Sequence, residues 1–134
     1  MFESFYEKIT AALSVLAGFL IGGWSQSLSI LLVCMVLDYV SGWAKAIKTG
    51  TLNSTVARYG ILSKFLMFIP IILSNLVDLM MKLNGTCLTM CVIFYIASEA
   101  LSILENLAEL IPLPQQLVDI LEKVKKDNDD KKVG

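Results

Sequence analysis

A chain of 134 residues that is 56% apolar, with a mean hydropathy of +0.71, leaves little polar surface to clothe a water-soluble core. The formal net charge of -1 gives no whole-chain field for nucleic acid, and without histidine neither a His general base nor a His metal site can be built. Cys34, Cys87 and Cys91 fall in apolar stretches and read as small hydrophobes rather than zinc ligands or a disulfide framework, so no metal or other cofactor is expected.

Lys8 and Asp38 bracket 29 consecutive uncharged residues, and further apolar stretches cover 65–81 and 86–104. One crossing of a bilayer core takes about 20 apolar helical residues, so the 29-residue run is long for a single span. Gly22-Gly23-Trp24-Ser25-Gln26-Ser27 breaks it with turn residues and an interfacial aromatic. The first stretch lacks a signal-peptide cleavage pattern and is expected to stay in the membrane. The helices are predicted at about 5–22, 28–47, 64–81 and 86–107. The first is short enough that it either crosses, tilts or lies in the interface. Residues 48–62 form the one substantial loop, with Asn53-Ser54 placed to cap a short amphipathic turn. Pro70 should bend the third helix. Pro112-Leu113-Pro114 ends the membrane domain (1–111), and 112–126 forms a Pro-led amphipathic helix with Leu117, Ile120, Leu121 and Val124 on one face. The charged residues 127–134 are expected to be disordered. The fold class is an all-α integral membrane protein, a bundle of three to four transmembrane helices plus a C-terminal amphipathic helix.

Lys45, Lys48, Arg58 and Lys64 surround one loop, whereas Lys82 stands alone at the other end of the spans. The positive-inside rule then places the basic loop and the C-terminus in the cytoplasm. The first helix carries Thr10, Ser14, Gly18 and Gly22 along one face, a small-residue pattern for close packing within one subunit or between subunits. Asp38, Asp78 and Glu99 are costly in a bilayer and must face protein or water. Asp38 shares a face with Ser41, Gly42 and Lys45. Ser74, Asn75 and Asp78 cluster and point toward Lys82, and Ser98, Ser102, Glu105 and Asn106 form a polar strip beside Glu99. These acids are either structural, paired with Lys45, Lys64 and each other, or gating groups that face water in an assembly. Tyr39, Trp24 and Trp43 read as interfacial or packing aromatics.

Leu37-Asp38-Tyr39-Val40-Ser41-Gly42, Lys45-Ala46, Gly50-Thr51-Leu52-Asn53-Ser54 and Gly60-Ile61 with Lys64 and Asp78 form one signature. Tyr95-Ile96-Ala97-Ser98-Glu99-Ala100-Leu101-Ser102-Ile103-Leu104-Glu105-Asn106, ending in Pro112-Leu113-Pro114, forms a second. Together they resemble the toxin secretion/phage lysis holin family over about 30–124. Ser98 and Ile111 depart from the family's usual Asn and Gly. The resemblance implies a non-enzymatic homo-oligomer in the host bacterial cytoplasmic membrane. At a set time it would open lesions for an endolysin or, in some loci, a large toxin, with an antiholin as a further possible partner. Two other classes compete: a small proton-coupled exporter, and a non-lytic docking or antiholin subunit. The exporter reading is weakened by the absence of any charge between Lys8 and Asp38. No nucleophile motif or phosphate loop supports an enzyme.

Overall fold

The computed structural model describes residues 1–133, with side chains up to 123 and at 126, 127 and 130. Six helices follow one another: α1 (Phe2–Ile21), α2 (Gln26–Thr49), α3 (Ser54–Leu66), α4 (Phe68–Met81), α5 (Thr86–Ala108) and α6 (Gln115–Val133). Four helical stretches are long and apolar enough to cross a membrane: Phe2–Ile21, Gln26–Thr49, Ser54–Met81 (α3 and α4 in series) and Thr86–Ala108. The fold is an all-α membrane bundle.

Local chemistry sets each boundary. α1 stops at Gly22, whose left-handed backbone (φ 76°) returns its N–H to the Gly18 carbonyl. Ser25 caps α2 by accepting from the Leu28 N–H at 3.3 Å. The connection that follows is much shorter than the predicted 48–62 loop. Gly50 ends α2 in a left-handed turn (φ 68°), and Asn53 Oδ1 at once caps α3 by accepting from the Thr55 N–H at 2.8 Å. The Asn53-Ser54 signal therefore starts the third membrane stretch itself, ten residues before the predicted start at 64. Pro70 acts as expected. It lacks an N–H, and its ring crowds the carbonyl four residues back, which belongs to Leu66. α3 ends at Leu66, and α4 resumes at Phe68. Lys82 and Asn84 both adopt positive φ in the turn before α5.

The tail differs from expectation. α6 continues to Val133, through residues predicted to be disordered. The good helix formers lie just before that stretch, in 121–126, where Glu122 stands four residues before Lys126 in the favourable order; the Asp- and Asn-rich residues that follow have low helix propensity of their own.

α2 packs most extensively against α5, which also packs on α4; α1 leans on α4 alone, and α6 on α5. The dry core is a thin layer of Leu28, Leu31 and Met35 from α2, Ile71 from α4 and Val92 from α5. Val33, Val36, Leu73 and Phe94 face outward, the arrangement expected when the surrounding solvent is hydrocarbon. α1 has no buried residue at all.

Candidate functional site: a membrane ion triad

Asp38 lies about 18 Å along α2 from Gln26 at a rise of about 1.5 Å per residue, near the middle of that span. The Lys64 Nζ, on α3, donates to Asp38 Oδ2 and to Glu99 Oε2 on α5. One ammonium thus bridges carboxylates from two other helices, and these are the only ion pairs among the described residues. The side chains are 11% (Asp38), 6% (Glu99) and 20% (Lys64) exposed, so the cation is the most accessible member.

A polar shell completes the site. Asn106 Nδ2 donates to Asp38 Oδ1 at 3.1 Å, to Ser41 Oγ at 3.1 Å and to the Asp38 carbonyl at 3.3 Å. Ser41 in turn donates to the Asp38 carbonyl at 3.0 Å. Among the described residues no buried side-chain nitrogen or oxygen lacks a partner. That matters because an unpaired polar group in a low-dielectric interior costs several kcal/mol, by order of magnitude. Gly42 faces this shell but is not required by it, since a Cβ at its position would meet Asn106 Nδ2 at an ordinary 3.6 Å.

The sequence groups Lys64 with the loop bases and also offers it, with Lys45, as a partner for the acids; in the structure it is Lys64 that pairs with them. Lys45 is half-buried, Arg58 is exposed, and the Lys48 ammonium donates to the Glu109 carbonyl, tying the end of α2 to the end of α5. On α5 the polar strip divides. Glu99 is buried and Ser102, Glu105 and Asn106 are half-buried, whereas Ser98 faces out.

Asp78 has a different role from the expected approach to Lys82. It is buried, and its two oxygens accept from the Cys87 and Leu88 N–H groups at 2.9 and 2.8 Å. These are orphan amides at the N-terminus of α5, where the helix dipole also favours a carboxylate. Lys82 is carried away because it is itself the left-handed residue that ends α4. Asn75, one turn earlier, donates to the Phe19 and Leu20 carbonyls at 2.8 and 2.9 Å, fastening the end of α1.

The small-residue face of α1 is split as well. Gly22 abuts α4 and α5: a Cβ there would lie 2.7 Å from Asn75 Oδ1 and 2.8 Å from Leu88 Cδ2. Gly18 has nothing within 4 Å, and the exposed Thr10 and Ser14 hydroxyls donate to the Tyr6 and Thr10 carbonyls of their own helix. On α6, Leu121 is buried and Leu117 half-buried, whereas Ile120 is exposed; the Val124 side chain lies outside the described residues. The described residues hold no cluster of three or more His, Cys, Asp or Glu able to bind a metal.

Asn106 and Asn75 were visible in the sequence only as members of polar strips. Their spacings were the available signal: Asn106 lies seven residues, two turns, after Glu99, and Asn75 lies three before Asp78.

Comparison with known proteins agrees with this architecture. The chain is 39% identical over 110 residues to a probable holin of Bacillus phage phi105, an alignment spanning 81% of this chain and 82% of the phage protein. It is 38% identical over 123 residues to the uncharacterized protein YqxH of Bacillus subtilis strain 168, covering 87% of each. A 14.9 kDa Clostridium perfringens protein encoded in the nagH 3′ region is 34% identical over 116 residues, covering 84% of this chain and 87% of that one. No solved structure matches. A family model for bacteriophage holins matches residues 15–126, which include all three members of the ion triad. The chain belongs to the bacteriophage holin family.

Proposed function

We propose that this protein accumulates in the host cytoplasmic membrane, oligomerises, and at a set time opens lesions through which an endolysin reaches the cell wall. The observation that carries the reading is the ion triad. Three helices each bring a charged residue to one point inside an otherwise lipid-facing bundle. Such a subunit is compatible with lipid while its polar faces are turned inward. Turning those faces toward water, subunit beside subunit, would give a lesion a hydrophilic lining without any unpaired charge entering lipid. The small-residue stretch Thr10–Ser14–Gly18 supplies a surface for close helix approach between copies. The basic loop faces the cytoplasm by the positive-inside rule. Export of a toxin has no support in the relatives, and no step here calls for catalysis.

The test is induced expression in a bacterial host carrying a cytoplasmic muralytic enzyme, following turbidity and release of a large cytoplasmic reporter. Abrupt lysis at a reproducible time, only when both proteins are present, is the expected result. Continued growth with an intact membrane potential would reject the lytic role in favour of an exporter or docking subunit. Asp38→Asn and Glu99→Gln should each shift the lysis time. A charge moved across the full membrane field is worth about 2.3 kcal/mol per 100 mV, enough for the triad to respond to depolarisation.

A further inference from the structure

A cleft of about 280 Å³ runs beside the triad between α2, α3 and α5. Its outer end is lined by Thr51 and Asn53 of the short connection, and its inner end by Asp38 and Lys64. From Ala46 to Asp38 it extends about 12 Å along α2 at about 1.5 Å per residue. Gly42, Ala46, Ala57 and Gly60 leave room for it, Trp43, Leu52 and Val56 make much of its wall apolar, and Ser63, Ser102 and Asn106 add hydrogen-bonding groups toward the triad. Tyr39 stands along one side, with its hydroxyl donating to the Ala57 carbonyl at 3.4 Å. Glu99 does not line the cleft; it lies behind Lys64. Beyond the triad the character changes. The layer of Leu28, Leu31, Met35, Ile71 and Val92 lies toward the α4–α5 turn and offers no polar side chain.

We propose that this cleft is a one-sided aqueous vestibule: it brings water from the α2–α3 loop side to Lys64 and Asp38, while the apolar layer seals the other side. The volume suits several water molecules at about 30 Å³ each, and the lining offers the two to four polar partners that ordered water needs. The triad then exchanges ions and protons with a single compartment before any lesion opens. This inference depends on the chain spanning a bilayer and stands apart from the lytic role.

Thiol accessibility in sealed membrane vesicles tests it, with sealing checked by a trapped dye. Cys34, Cys87 and Cys91 are replaced by Ala, and single cysteines are introduced as Ser63→Cys on one wall and Ser102→Cys on another. Thr51→Cys and Asn84→Cys mark the two sides of the membrane, and Val36→Cys marks the lipid face at similar depth. A membrane-impermeant methanethiosulfonate is applied to vesicles of each orientation. Both wall cysteines should react only from the Thr51→Cys side. They should react at least about 100-fold faster than Val36→Cys, because the attacking thiolate forms only where water solvates it. Rates no faster than Val36→Cys at either wall would overturn the vestibule by showing that the cleft is dry. Modification from the Asn84→Cys side would overturn its one-sidedness.

Discussion

The two halves of this bundle along its axis use the same kind of residue to opposite effect. Toward the α2–α3 connection, Asp38 and Glu99 converge on Lys64, beside a cleft whose mixed wall carries polar groups next to the triad. Toward the α4–α5 turn, Asp78 has no ion pair among the described residues; backbone amides of α5 answer it, one turn from the buried Asn75. A buried carboxylate is thus tolerated either by a bridging charge or by the end of a helix. The first solution is separable, since side chains can part without unfolding anything. The second is built into the turn and holds two helices together.

The largest expected effect comes from removing the shared cation. Lys64→Met leaves two carboxylates facing each other and should cost about 3–5 kcal/mol, read as lower membrane abundance and earlier thermal unfolding in detergent. Combining it with Asp38→Asn and Glu99→Gln should restore most of that loss. A single variant as stable as the parent would mean that the triad does not hold the loop-side half together.

In the other half, Asn75→Leu strips two carbonyls of their donor at the end of α1. The expected cost is about 1–3 kcal/mol, with faster hydrogen exchange confined to residues 2–21. A uniform increase across all helices would show that Asn75 supports the whole core instead.

Gly22→Ala forces a left-handed backbone on an L side chain and presses it against Asn75 and Leu88, a penalty of about 1–2 kcal/mol from the backbone alone. The smallest effect on the fold belongs to Gly18→Leu, since nothing lies within 4 Å of that position. Its stability as a single subunit should not fall and should rise by at most about 1 kcal/mol through helix propensity, while chemical cross-linking between copies falls. Unchanged cross-linking would remove this face of α1 from the oligomer contact.

Much of the fold was legible because hydropathy and length act locally: a run without charge has to lie in lipid whatever it packs against. Asn53 and Pro70 were read as a cap and a bend, and both are where the helix starts and breaks. The partnerships were harder. Lys64 looked both like one of four loop bases and like one of two lysines able to pair with the acids; charge counting ignores depth, and it is the early start of α3 at Ser54 that carries it about 15 Å into the bundle at about 1.5 Å per residue. Asp78 was expected to point toward Lys82, and the helix does end at 81 as predicted; what the sequence did not show is that the first amides of α5 fold back onto the Asp78 carboxylate. The first case lacked the start of a helix, the second the placement of the next helix's first turn.

The fastening of α1 has a mechanical consequence. Asn75 and the close fit at Gly22 grip only its last turn, and the rest, all exposed, rests on nothing but α4. A 20-residue rod of about 30 Å held at one end is a lever. A tilt of about 20° at that pivot would sweep the far end through about 10 Å, a displacement as wide as a neighbouring helix.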